Sequence, residues 1–265
     1  MKIGFIGLGN MATAIIGGLL EKRMVSAGEI AGYDAFPEAA EKIREKYGIT
    51  TVSELGDVVK DADVLFLAVK PNVLPAVLPE IGKGLDERTL VISIAAGKDL
   101  AFLEEKLGRK DCRLVRCMPN TPALVLEGCT GVCTNANVTE EDKELAMTLL
   151  GAFGKAIPVA EHLMDVVVGV SGSSPAYVFL FIEAMADAAV AAGMPRAMAY
   201  EFCAQAVLGS AKLLLETGKH PGELKDMVCS PGGTTIAAVQ VLEEMGFRGA
   251  VMDAVEACIE KSRNL

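Results

Sequence analysis

Lys2-Ile3-Gly4-Phe5-Ile6-Gly7-Leu8-Gly9-Asn10-Met11-Ala12 is the stretch that decides the fold of this 265-residue chain. Its first half, Lys2 to Gly7, is a short β-rich run. Its second half breaks on glycine and opens an apolar-periodic segment, Asn10 to about Arg23, that reads as a helix. The turn between them fits G-x-G-x-x-A. A hexapeptide of this kind is weak evidence alone and gains weight when it ends a strand and opens a helix. Gly7 permits the tight turn, Gly9 lets a pyrophosphate approach the backbone, and Ala12 keeps helix and strand close. The helix N-terminus then faces the phosphates. The alternative is a tight strand–helix turn that holds no ligand.

Working outward, Glu29 to Asp34 is the next strand and Pro37 to Tyr47 the next helix, with proline in its first turn. From Asp63 to Val69 runs an apolar stretch of the kind buried on both faces of a sheet. Thr89 to Ile94 and Leu114 to Met118 repeat it. Helical segments at Asn72–Ile81 and Leu100–Leu107 separate these strands, and Thr139 is an N-cap for a further helix. Such alternation predicts a parallel, doubly wound, Rossmann-type α/β sheet. Beyond Val159 the sequence offers no convincing strand. Helices are expected from Ser173 or Ser174 to Ala192, Pro195 to Thr217, Pro221 to Val228, Thr234 to Met245 and Gly249 to Asn264. Gly193 and Gly218 fall just past helix ends, where a left-handed residue is wanted. The division is therefore residues 1–160, a dinucleotide-binding domain, and residues 161–265, an all-helical domain. The segment Ala176–Ala192 is apolar on most of its circumference, so it must be buried. In so small a domain a subunit interface is the natural cover.

Composition narrows the partners. Apolar residues make up 51% and the net charge is −10, with no run of lysine or arginine. Neither nucleic acid nor an anionic membrane surface is an expected partner. An anionic ligand must be held by local devices such as helix N-termini, not by the overall field. Seven scattered cysteines, an odd number, argue against a disulfide framework and for a reducing, cytoplasmic setting. The pairs Cys112/Cys117 and Cys129/Cys133 do not match zinc spacing, so no metal is expected. The apolar N-terminus is broken by glycines, which tells against a signal peptide. Ala176–Met194 is interrupted by Glu183 and Asp187 and falls short of a spanning helix.

Two further features bear on ligands. Asp34 lies about twenty residues past the glycine turn, at the end of the second strand, where an acid accepts the ribose hydroxyls of NAD and repels the extra phosphate of NADP. The nearest basic residues downstream are Lys42 and Arg44. The alternative is an exposed turn acid. Ser230-Pro231-Gly232-Gly233-Thr234-Thr235 is a second glycine loop before a helix. Thr234 or Thr235 can cap that helix, and the N–H groups that follow would hold an anion. Taken alone, a capped interhelix turn explains it equally well.

Several stretches, in order, carry a resemblance. They are Gly4 to Met11, Ala68-Val69-Lys70-Pro71, Ser93 to Gly97, Met118 to Pro122, Val170 to Tyr177, and Leu224 to Thr235. Over essentially its whole length the chain resembles the pyrroline-5-carboxylate reductases. The resemblance implies hydride transfer from NADPH or NADH to C5 of Δ1-pyrroline-5-carboxylate, giving L-proline in the last step of its biosynthesis. It implies that Ser230 and the backbone around Gly232, Gly233, Thr234 and Thr235 hold the substrate carboxylate, and that the Thr235 hydroxyl bonds the ring nitrogen. Gly7, Gly9, Asn10 and Met11 would line the pyrophosphate, with Asp34 at the ribose. Ala68, Val69, Lys70 and Pro71 follow the next strand, contributing backbone rather than a catalytic lysine. Ala95, Ala96 and Asn120 would border the nicotinamide, Asn120 also reaching the substrate. Since members use either cofactor, the resemblance leaves the choice open. It implies an interlocked homodimer in which each site joins one chain's Rossmann domain to its partner's glycine loop, and dimers that often assemble into decamers.

Two other readings compete. The β-hydroxyacid dehydrogenases share this layout but need a catalytic lysine on an interdomain helix, which Ser171–Tyr177 does not offer. A dinucleotide sensor that kept the fold and lost the chemistry would bind without turnover.

Overall fold

The computed structural model describes Met1 to Asn264. In chain order its first elements are β1 (Ile3–Ile6), α1 (Asn10–Glu21), β2 (Ile30–Tyr33), α2 (Pro37–Tyr47), β3 (Thr50–Thr51) and α3 (Leu55–Asp61). Then come β4 (Val64–Leu67), α4 (Leu74–Gly84), β5 (Leu90–Ser93), α5 (Leu100–Leu107) and β6 (Arg113–Met118). β7 (Gly128–Thr134), α6 (Glu140–Leu150), β8 (Gly154–Pro158) and α7 (Met164–Val167) follow. Four long or medium helices and a last one complete the chain: α8 (Ser174–Ala191), α9 (Arg196–Thr217), α10 (Pro221–Val228), α11 (Thr234–Glu244) and α12 (Phe247–Arg263).

β1, β4 and β5 are buried at every position, as continuous apolar runs must be when helices cover both faces. Alternate residues serve opposite faces. Phe5 and Phe66 lie on one face with Ile15, Ile16 and Phe153; Ile6 and Leu65 lie on the other with Val58 and Leu78. The two phenylalanine rings stack with centroids 4.8 Å apart, tying β1 to β4. The strand order is β3-β2-β1-β4-β5-β6-β7-β8. Order reverses at β1, where β2 and β4 flank it, and the carboxyl edge beside that point is where α/β sheets bind ligands.

The wholly parallel sheet expected from the alternation is corrected in one place. β7 runs antiparallel to β6, with Val115 opposite Thr134 and Met118 opposite Gly131. The link from Pro119 to Glu127 carries only a short 3-10 turn, and a parallel pair needs a crossover of about a dozen residues or more. β3, α3, β7 and β8 are elements the sequence pattern did not announce.

By packing the chain forms two compact units, Met1–Ser173 with the end of α12 from Cys258, and Ser174–Ala257. Residues 161–173 thus belong with the sheet, although its last strand ends at Pro158. Met164 is buried there, and Glu161 accepts the Leu100 N–H and pairs with the buried Arg116. The end of α12 is tied to the same unit by Ser262, which donates to Asp165.

In the second unit α8 through α11 run close to the expected bounds, and Gly193 and Gly218 take positive φ at helix ends. This unit has almost no interior of its own. Ala186 is the buried residue of α8 and Ala199 that of α9, while α10 and α11 bury none. Phe179 and Leu180 are 64% and 67% exposed. The helical run also begins earlier than the sequence suggested. Counted from Glu161 to Ala191, it is long and apolar enough, by length and composition, to cross a membrane.

Candidate active site

Gly7 ends β1 with φ +95, a backbone state that favours glycine. A Cβ there would sit 2.8 Å from the carbonyl of Ala68 and from the nitrogen of Val69. The two segments whose sequence points to a cofactor, Gly7–Met11 and Ala68–Pro71, are therefore in direct backbone contact. Gly9 is different. Its φ is an ordinary −74, and a Cβ on it would meet nothing within 4 Å. The protein's own packing does not require glycine there, whereas a ligand lying against the backbone would. Gly9 is also the N-cap of α1, which has no side-chain cap and no acid in its first turn. The N–H groups of Asn10 and Met11 thus open on an uncapped positive helix end. This cradle fits a dinucleotide pyrophosphate.

The other expected cofactor residues gather on the same edge because β1, β4, β5 and β6 are parallel. Ala68 and Val69 are half-buried, Lys70 is exposed, and a turn closed by the Val73 N–H on the Lys70 carbonyl leads through Pro71 into α4. Ala95 is buried and Ala96 half-buried past the end of β5.

Asp34 has a role that sequence spacing did not reveal. Its Oδ2 accepts the Leu8 N–H at 2.7 Å and its Oδ1 the Phe36 N–H at 2.9 Å. The carboxylate pins the glycine turn to the loop after β2. Asn120 likewise has structural duties. At 8% exposure, its Nδ2 donates to the Ser171 carbonyl at 3.1 Å and its Oδ1 accepts the Cys129 N–H at 2.8 Å. Those bonds turn its side-chain amide towards β7 and Ser171. No local signal points to Leu8 or Ser171, whose partners lie 26 and 51 residues away.

The second unit carries the other glycine loop. The Gly233 N–H donates to the Ser230 carbonyl at 3.0 Å, with Pro231 next and Gly232 at φ +67. Proline then positive-φ glycine is the type II turn pattern. The expectation that Thr234 or Thr235 caps the helix is corrected. Gly233 is the N-cap of α11, without a side-chain cap and without an acid in the first turn. Both threonines lie inside the helix, past the position from which a side chain folds back onto the first N–H groups. The N-terminus is consequently open, with Ser230 exposed and Thr235 half-buried beside it. Of the two histidines, His220 accepts the Gly222 N–H at the start of α10.

A cavity of about 450 Å³ lies at the opposite, amino edge of the sheet, among Ile3, Ile30, Thr50 and Val58. Volume therefore does not identify the site; among the uncapped, acid-free helix starts, α1 and α11 are the ones whose N-cap is a glycine. Among the described residues, no group of three or more His, Cys, Asp or Glu is placed to hold a metal ion.

Fold and site define a Rossmann-type dinucleotide-binding oxidoreductase with a helical second unit. Residues 161–265 match the family model described as pyrroline-5-carboxylate reductase dimerisation, and residues 2–97 that of NADP oxidoreductase coenzyme F420-dependent. A pyrroline-5-carboxylate reductase of Escherichia coli strain K12 is 55% identical over 264 residues, covering 100% of this chain and 98% of that protein. One from Methanosarcina acetivorans is 45% identical, covering 100% and 97%. The crystal structure of a Plasmodium falciparum pyrroline carboxylate reductase with NADP bound superposes with a TM-score of 0.91, at 32% identity, covering 100% and 97%. The chain belongs to the pyrroline-5-carboxylate reductase family.

Proposed function

We propose that this protein reduces Δ1-pyrroline-5-carboxylate to L-proline with NADPH or NADH, the last step of proline biosynthesis. The observation that carries the reading is the pair of uncapped, acid-free helix starts, α1 and α11, each led by a glycine turn. One suits a pyrophosphate and the other a small carboxylate, in a chain whose net charge of −10 cannot attract either from a distance.

Ser230 Oγ and the N–H groups of Thr234 and Thr235 hold the carboxylate. Thr235 Oγ1 stands at the ring nitrogen, donating to the imine or accepting from the protonated iminium. The reduced nicotinamide, when bound, supplies the hydride. As C5 gains it, the C=N π pair moves to nitrogen, and a protonated imine becomes the neutral amine with no further proton required. The protein's task is then orientation, and catalysis by fixing two reactants can be large without an acid–base residue. No histidine is needed at the loop.

The exposed apolar helices of the second unit give self-association its physical reason: Phe179, Leu180 and their neighbours need cover. We read the Glu161–Ala191 run as interface, not membrane span, because the dimerisation family model covers it. The interlocked dimer, with the glycine loop serving the partner's cofactor, and assembly into decamers follow from the family resemblance. Seven free thiols suit the cytoplasm.

The test is loss of reduced-nicotinamide absorbance with pyrroline-5-carboxylate, NADH and NADPH run in parallel, on wild type and Thr235→Ala. Substrate-dependent oxidation is expected, and kcat/KM should fall about 10–100-fold in the variant. Binding without turnover would move the protein to the sensor reading, and oxidation of a β-hydroxyacid would overturn the assignment.

A further inference from the structure

We infer that this protein discriminates in favour of NADH, and that Asp34 is the residue that sets the preference. The inference rests on the cofactor site of the proposed reductase and goes beyond it, since that reading accepts either dinucleotide.

Asp34 follows the last residue of β2, the strand beside β1 on the carboxyl edge, where the adenosine ribose of a dinucleotide lies when its pyrophosphate sits at Gly9 and the start of α1. An acid there accepts ribose hydroxyls; a 2′-phosphate brings about −1.5 to −2 charges to the same place. The structure adds that this carboxylate cannot turn aside. Both its oxygens hold backbone N–H groups, from Leu8 at 2.7 Å and Phe36 at 2.9 Å, so rotating away would release the glycine turn itself. Each oxygen keeps a lone pair for a hydroxyl, but none of its own bonds would be improved by a phosphate.

The segments that leave β2 and β3 at this edge supply no compensating cation; the first lysine downstream is Lys42, in the second turn of α2. β3 lies against β2, with the Val52 N–H on the Gly32 carbonyl. The chain leaving β2 reads Asp34, Ala35, Phe36, Pro37, Glu38, and that leaving β3 reads Val52, Ser53, Glu54. These segments contain three acids and no lysine or arginine. Further along α2, Arg44 pairs with Glu41 at 2.6 Å and Lys46 lies over the Tyr47 ring, while Lys42 is exposed on the helix. A site that admits NADPH needs a positive partner for the additional phosphate, and this edge instead presents fixed negative charge. Discrimination of this kind comes from a repulsive element built against the competitor.

The experiment is calorimetric titration of the intact protein with NADH and NADPH, which needs no turnover. NADH should bind at least tenfold more tightly, about 1.4 kcal/mol. In Asp34→Ser the ratio should shrink at least fivefold, whatever the loosened turn costs both cofactors alike. Wild type gives a second measurement that does not depend on the variant folding. Raising salt from about 0.05 to about 0.5 M should narrow the NADH preference, because screening weakens repulsion of the 2′-phosphate. Equal or tighter binding of NADPH, a preference under tenfold, or a ratio untouched by both salt and substitution overturns the inference. If pyrroline-5-carboxylate is not turned over while the binding ratio holds, the reductase reading fails and the role of Asp34 stands.

Discussion

Replacing Gly7 and Gly9 in turn by alanine separates the two reasons for glycine in the same turn. In Gly7→Ala the new Cβ would lie 2.8 Å from the Ala68 carbonyl and the Val69 nitrogen, with φ at +95. Left-handed backbone costs a non-glycine residue roughly 1–2 kcal/mol, and forcing a methyl into packed backbone roughly 1–3 kcal/mol. The sum, roughly 2–5 kcal/mol, corresponds in a chain of this size to a fall in melting temperature of roughly 5–15 °C. In Gly9→Ala the methyl meets nothing within 4 Å and φ is ordinary. Alanine is a poorer N-cap by about 0.5–1 kcal/mol, but it also removes about 0.4–1 kcal/mol of unfolded-state freedom. Stability should hold to within about 3 °C. Cofactor affinity should nevertheless fall at least tenfold, about 1.4 kcal/mol, because the methyl occupies the space the pyrophosphate needs. Circular-dichroism melts give the first quantity and calorimetric titration with NADH and NADPH the second. A Gly9→Ala protein that binds like wild type would refute the assignment of the cradle. A Gly7→Ala protein that melts like wild type would refute the backbone contact between the two loops.

Three further outcomes are expected. Asn120→Ala leaves the Cys129 N–H and the Ser171 carbonyl without their partner, so stability should drop by about 2–4 kcal/mol while dinucleotide affinity stays within about twofold; a folded variant with lost affinity would restore the side chain to the nicotinamide site. Burial pushes the thiols of Cys112 and Cys133 up to about 11 and that of Cys117 higher still. A thiol reagent at neutral pH should therefore spare all three in the native protein, and peptide mapping that finds any of them labelled before unfolding contradicts the packing. Glu29 is held at about 2 instead of 4.5, first by the Ser26 N–H and then by the N-terminal amine. Its folded value is lowered, so its contribution is complete above about pH 4.5 and disappears as pH falls towards 2. Glu29→Gln should flatten the pH dependence of stability across that window; an unchanged slope would show that the N-terminal tie contributes nothing.

What the sequence conveys depends on where each element finds its partner. β1, β4 and β5 are readable because they are buried on both faces and must be apolar throughout. β3 is two residues long and exists as a strand only through its pairing with Ala31 and Gly32, so no pattern could announce it. β7 contains two glycines, two cysteines and two threonines among seven residues, and its antiparallel course is fixed by the shortness of the link before it. The site divides in the same manner. Gly7, Gly9 and the α11 glycine loop are local motifs, and their places in the structure follow from them. The bonds that give Asp34 and Asn120 their duties join residues 26 apart to Leu8 and 51 apart to Ser171, beyond the reach of any spacing rule.

The second unit carries the same reasoning across the boundary of a single chain. An amphipathic stripe marks a helix whose two sides face different surroundings within one polypeptide. α1 shows this: it buries Ala12, Ile15, Ile16 and Leu19 against the sheet. α8 has no such stripe. It is apolar on nearly every side, yet Ala186 is its one buried residue in the isolated chain. A helix of that composition cannot remain in water at so little burial, since each large apolar side chain left exposed forgoes roughly 1.5–3 kcal/mol. The dimerisation family model over residues 161–265 points to self-association as the source of the missing contacts, and the absence of periodicity is what a helix covered on several sides would show. Helix identity in this unit was therefore readable from sequence, while its interior was not, because the chain by itself buries only Ala186 of α8 and Ala199 of α9 and no residue of α10 or α11.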